Sequence, residues 1–279
     1  MIGDSAAPED SAAPEDSAAS TADLALDATR TAPGGIRQHI RHHAGTLALV
    51  ALITLHELAR RRWALVLALL LPLAFFLVRL DTYWTALRLL SMGLGWAAAT
   101  LALFTAVSSR SVDRRLTVTG ASPITLVLGR QLAVLGLSWG IGLLYSALAL
   151  VMIGDQLTRP AAVPLMLLLT ATAATPLGSL VAAAVPRDLE GALLLLAIMA
   201  VQVLVDPAES WTRVLPLWSA RELATYILDS ADAVAASSSG TSGSLNAGLA
   251  HGTVYGLALG TISWLLGVLR LRTIRLPEP

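Results

Sequence analysis

His56-Glu57 opens the H-E-x-x-H pattern, in which two histidines one helical turn apart hold zinc and the glutamate acts as base. Position 60 is Arg60, so the second ligand is missing. His39, His42 and His43 cluster in an arginine-rich helix start, where solvent or lipid headgroups suit them better than a metal, and His251 is isolated. There is no lysine, so a standard G-x-x-x-x-G-K-[ST] phosphate loop and a lysine Schiff base are both excluded. There is no cysteine, which removes disulfides, iron–sulfur clusters and thiolate zinc sites. No G-x-S-x-G nucleophile motif occurs, and no pair of carboxylates is predicted to face each other across helices. No enzyme, cofactor or metal centre is expected.

The charged constellation with the most definite context is Arg110, Asp113, Arg114 and Arg115, within SSRSVDRRLTVTGASPITLVLGRQLA from Ser108. The pattern predicts a short polar helix, broken at Gly120, with Ser122-Pro123 capping the next helix. A charged helix protruding between two membrane spans is what a membrane domain needs to receive force from a cytosolic motor. A plain positive-inside anchor loop explains the arginines but not the Gly-Ala-Ser-Pro breakpoint. Within the apolar runs, Thr100, Ser138, Tyr145, Thr175 and Gln202, with Thr170, Thr172 and Ser263, either line a translocation path or bond within their own helices. Gly93, Gly95, Gly136, Gly140 and Gly142 are read as points of close helix approach.

These residues are positioned by an unusually apolar chain of 279 residues, 55% hydrophobic and only 14% charged, with mean hydropathy +0.69. Soluble domains carry about 25% charged residues, and the apolar runs recur at lengths suited to about 30 Å of hydrocarbon. The expected fold is an all-α integral membrane protein with six spans, near 63–80, 88–108, 126–153, 162–185, 191–205 and 253–269. Residues 34–62 are expected to form an interfacial connecting helix, because their apolar part, Thr46–Leu55, is too short to cross. The six-span region then runs over 63–276, with a cytoplasmic segment at 109–123 and an outer loop at 206–252. In that loop Ser219 and Glu222 have capping-box spacing. Leu223, Ala224, Ile227 and Leu228 give the following short helix one apolar face, predicted to rest on the outer membrane surface. Residues 235–248 read as a flexible linker, and Trp84, Trp211, Trp218 and Tyr226 suit an interface belt.

Residues 1–29 hold seven acids and no base, and DSAAPEDSAAPEDSAA at 4–19 is a six-residue repeat, so 1–33 is expected to be a disordered tail without signal-peptide character. With a cytoplasmic N-terminus, 14 arginines fall inside (30, 37, 41, 60, 61, 62, 110, 114, 115, 130, 187, 270, 272 and 275). Five fall outside (79, 88, 159, 213 and 221). The count predicts a multi-pass cell-membrane protein with both termini cytoplasmic. Acids lie in loops or at span ends, which disfavours an ion-coupled carrier because such carriers usually place a titratable group at mid-membrane.

Four stretches, in order, resemble the type 2 permease family of ABC transporters: ELARRRWALVLALLLPLAFFL (57–77), DRRLTVTGASPITLVLGRQLA (113–133), PLGSLVAAAVPRDLEGALLLLAIM (176–199) and VLPLWSARELATYIL (214–228). The resemblance covers roughly 57–270 and implies an exporter subunit with six spans, paired with a second copy or a related permease. It also implies a cytosolic ATP-binding subunit, against which Arg110, Asp113, Arg114 and Arg115 would dock as a coupling helix. The implied cargo is an amphipathic, lipid-like, glycan or drug-like molecule moved outward; membrane lipids are partners and nucleic acid is not. The acidic repeat tail and the small Ser/Gly-rich outer loop depart from the family pattern. The rival readings are a non-transporting membrane scaffold subunit and, less favoured, an ion-coupled carrier.

Overall fold

The structure is a computed structural model that describes residues 33–60, 62–185, 187–204, 210–228 and 243–272. It divides into two compact units, residues 1–46 and 47–279. Within the first, the described residues belong to the start of helix α1 (Pro33–Arg60); the acidic repeat lies outside the described residues. The second unit is built of helices joined by turns, with no strand among its described residues. After the remainder of α1 it contains α2 (Arg62–Leu77), α3 (Tyr83–Ser108), α4 (Arg110–Val118), α5 (Pro123–Ile153), α6 (Val163–Ala184), α7 (Asp188–Leu204), α8 (Trp218–Leu228) and α9 (Leu245–Arg272).

Among the described residues, four helical segments are long and apolar enough to cross a membrane: Tyr83–Ser108, Pro123–Gln156, Pro160–Ala184 and Leu245–Arg272. They coincide with the second, third, fourth and sixth expected spans. Helices α2 and α7 stand where the first and fifth were expected, but with 16 and 17 residues they reach only about 24–26 Å at the α-helical rise. The observed elements therefore fit a multi-pass membrane protein.

Helix α6 is the hub, packing on α3, α5, α7, α8 and α9. Its central window is 72% buried, against 17% for α9, which lies at the edge. Glycines set the closest crossings. A Cβ on Gly178 of α6 would overlap the Ala99 carbonyl of α3, and one on Gly93 would lie 2.8 Å from the Pro72 Cα of α2. Gly95 and Gly142 also sit against neighbouring helices, as expected of small residues at helix contacts. Gly136 and Gly140 face open space, so the close-approach expectation fails for these two.

One capping expectation holds in position and a second is corrected. Ser122 holds the N-cap position of α5 with Pro123 following, but its side chain makes no capping bond; Thr125 Oγ1 instead donates to the Ser122 carbonyl at 2.8 Å. Ser219 lies inside α8, because that helix begins at Trp218, and its hydroxyl has no partner among the described residues. Glu222 reaches across the chain and accepts a hydrogen bond from the Ser244 backbone N–H at 2.8 Å. Ser244 Oγ accepts from the Ala247 N–H at 3.3 Å, so Ser244 is the residue that caps a helix here. Helix α9 accordingly begins within the expected linker, whose stretch 235–242 lies outside the described residues.

Helix α8 has the predicted apolar face, with Leu223, Ala224, Ile227 and Leu228 buried. That face packs on α3, α6 and α9, so protein rather than a membrane surface covers it. Its C-terminal carbonyls are satisfied by Thr158 Oγ1, which donates to Leu228 at 2.6 Å, and by the Arg159 guanidinium, which donates to Tyr226 at 2.8 Å.

Candidate functional site

At the end of the bundle carrying α4, a cleft of about 100 Å³ is lined by residues of α3, α4, α5, α6 and α9. Four arginines line it, Arg110, Arg114, Arg130 and Arg270, with Asp113 as the one carboxylate of the lining. Its apolar wall includes Ala102, Ala106, Val127, Val134 and Leu271.

The local sequence explains how α4 is held. Gly120 adopts φ 97°, a left-handed conformation that only glycine accepts at no cost, and the chain reverses there into α5. Helix α4 is too short to be stable alone, so side chains must seat it. Asp113 is buried and accepts a 2.6 Å charge-assisted hydrogen bond from Arg130 Nη2, joining α4 to the second turn of α5. Burial pushes the Asp113 carboxyl above its ordinary value, and Arg130 and the Ser109 hydroxyl only partly offset this. Arg110 reaches α6: its guanidinium donates to the Ala182 carbonyl and, at 2.8 Å, to the Val185 carbonyl. It thereby supplies positive charge and donors to the negative end of that helix. Burial, followed by the nearby Arg270 charge, lowers the Arg110 pKa.

The predicted quartet is thus split. Arg110 and Asp113 face inward and seat the helix, whereas Arg114 and Arg115 are exposed. Exposed with them are Val112 (47%), Leu116 (38%) and Val118 (57%), which give α4 an apolar outer face rimmed with arginine.

The five path candidates lie on four helices. Tyr145 donates its hydroxyl to the Leu69 carbonyl near Pro72, bracing α5 on α2. Gln202 Oε1 accepts from the Leu217 N–H at 2.9 Å, fixing the approach to α8. Ser138 is fully buried and Thr175 nearly so; their hydroxyls, like that of Thr100, have no partner among the described residues. Thr175 lines a separate cavity between α5, α6 and α9. Thr170 and Thr172 donate to carbonyls four residues back on their own helix, at 2.8 Å each.

Arg130, Gln131 and Arg270 were not singled out from sequence as site residues, whereas Ser263 was among the hydroxyls read as path or packing groups. Gln131 Nε2 donates to Ser263 Oγ at 2.7 Å, linking α5 to α9 beside the cleft. The available signal was Arg130-Gln131 standing as a polar pair inside an otherwise apolar 31-residue helix. Among the described residues, no group of three or more His, Asp or Glu side chains is placed to hold a metal. No protein-family model matches this chain, and no curated protein sequence matches it.

Proposed function

We propose that this chain is the membrane-spanning permease subunit of an ATP-driven exporter of the ABC type 2 family. In this reading it crosses the membrane six times with both termini in the cytoplasm, beside a second permease and a cytosolic ATP-binding subunit. The observation that carries it is α4, a short helix braced from inside by Arg110 and Asp113 that turns Val112, Arg114, Arg115, Leu116 and Val118 outward. A braced projection between two long apolar helices suits a docking peg for a motor subunit. The absence of lysine agrees, because ATP hydrolysis then belongs to another polypeptide. Helices α2 and α7 cross as short spans, with Arg62 and Arg79 bracketing α2 at headgroup level and the bilayer thinning locally to match. The cargo class is amphipathic, in keeping with an apolar bundle whose polar interior groups are mostly hydroxyls.

The test is co-purification from membranes of the native host. An ATP-binding subunit should accompany the wild-type chain, and it should be lost when Val112→Asp and Leu116→Asp are combined with charge reversal at Arg114 and Arg115. Substrate movement by the purified chain in vesicles that hold an ion gradient and no ATP would overturn the reading.

A further inference from the structure

Helix α9 lies against α6 at Gly256, where an added Cβ would come within 2.7 Å of the Thr172 side chain. One turn further on, a Cβ at Gly260 would meet nothing within 4 Å. Gly256 and Gly260 both line a cavity of about 340 Å³ between α5, α6 and α9. That volume falls at the lower end of the range for small-molecule sites, roughly 300–1,000 Å³. Leu128, Leu132 and Leu135 of α5 and Leu257 of α9 supply apolar walls, and no charged side chain is among the described residues that line it.

The polar groups of this lining include three with hydrogen-bonding capacity left over. Pro176 has no N–H, so the Thr172 carbonyl four residues earlier loses its regular helical donor. The Thr172 hydroxyl, by contrast, is engaged on both sides: it donates to the Leu168 carbonyl at 2.8 Å and accepts from the Trp139 indole N–H at 3.0 Å. Thr105, Thr170 and Thr172 all donate to the carbonyl four residues back, the usual recourse of a threonine inside a helix. Thr175 does not. It is 2% exposed, and its hydroxyl has no partner among the described residues. The Trp264 indole N–H is likewise buried without a partner among them. Buried donors left unmet are costly.

These features together select an occupant. An oxygen that accepts from Trp264 and Thr175 answers the donors, and hydrocarbon answers the leucines. A charged head would leave water for a lining with no counter-charge. A plain alkane would leave both donors unmet, and water alone would leave the leucine walls wet.

We propose that the cavity between α5, α6 and α9 is a binding site for an uncharged amphiphile. Its hydroxyl or carbonyl oxygen is held by Trp264 and Thr175, and its alkyl chain lies along the leucines of α5 and α9. The site needs no second subunit and no ATP, so it stands or falls apart from the exporter reading.

The test uses the full chain in phosphatidylcholine nanodiscs and a monoacylglycerol carrying a photoreactive diazirine on its chain, with adducts mapped by peptide mass spectrometry. Labelling should be saturable and concentrated within 128–135 and 257–264. Decanoylglycerol should compete it away, while decane, decyl sulfate and decyltrimethylammonium should not at matched concentration. Thr175→Val keeps the side-chain shape and removes the hydroxyl, and should weaken the apparent affinity about fivefold, as expected for one neutral hydrogen bond. Gly260→Leu should abolish the saturable label by filling the cavity; should that variant fail to fold, the isosteric Thr175→Val still decides. Unsaturable label spread over the lipid-facing helices would show annular contact only and overturn the site. Equal competition by decane, or an unaffected Thr175→Val variant, would overturn the polar anchor. Equal competition by either charged amphiphile would overturn the selection for an uncharged head, and a folded Gly260→Leu variant that labels normally would overturn the placement.

Discussion

Replacing Asp113 by Leu removes the carboxylate that hydrogen-bonds Arg130, and the consequence follows from how both are buried. Their side chains are only 12% and 14% exposed, and they meet at 2.6 Å. Two further Arg130 nitrogens already lack partners, so the single change strands a guanidinium in a mostly apolar wall. Stranding one member of a buried pair costs about 3 kcal/mol or slightly more. Arg130→Met strands the carboxylate instead, and its cost should shrink on acidification because Asp113 then becomes neutral. The upward shift of the Asp113 pKa means that, even paired, its ionised form is not fully repaid for leaving water. Between 3.8 and its raised folded value, Asp113 binds more proton in the folded chain than in the unfolded chain. This group's contribution to stability therefore falls as pH rises through that window. The double variant Asp113→Leu/Arg130→Met removes both charges and should lie within about 1 kcal/mol of the parent. The assay is reversible unfolding in mixed micelles, with all four proteins compared as a double-mutant cycle. Costs that simply add, leaving the double variant worse than either single one, would refute the reasoning.

Other outcomes follow from the same geometry. Gly178→Ala should destabilise the bundle by about 3 kcal/mol or more, since its Cβ would collide with the Ala99 backbone. Gly140→Ala, which faces open space, should be neutral or gain up to about 1 kcal/mol; unfolding in micelles measures both. Arg110→Ala should cost about 1.5–3 kcal/mol by removing two charge-assisted bonds to the end of α6, and amide exchange should rise around Ala182–Val185. Because the chain has no cysteine, single cysteines at the exposed Ser111 and Ser244 can be labelled in intact cells with an impermeant maleimide. Ser244→Cys should react from outside and Ser111→Cys only after the membrane is opened; the reverse pattern would overturn the proposed orientation.

The long helices were legible because an apolar run within a 25–34-residue helical segment announces itself, and Gly120 marked its own break because the turn needs a left-handed residue. What the sequence could not reveal was which face of α4 points inward. Over nine residues its arginines alternate with valine and leucine, and the deciding partners are distant in sequence: Arg130 for Asp113, and the end of α6 for Arg110. Arg130 itself was counted as an inner-loop charge, although it lies within α5. The Ser219–Glu222 pairing failed for a related reason. A local spacing rule competed with a longer-range acceptor role, and the backbone N–H of Ser244 won.

The contact between Gly178 and Ala99 also determines where this bundle can yield. Two helices that meet backbone to backbone have no side-chain cushion to re-pack, so α3 and α6 behave as one stiff spine. Sliding is cheaper along α9, which approaches α6 closely at Gly252 and Gly256 and keeps little of its surface covered. A change of shape in this protein should therefore appear as α9 swinging or sliding past a fixed α3–α6 axis.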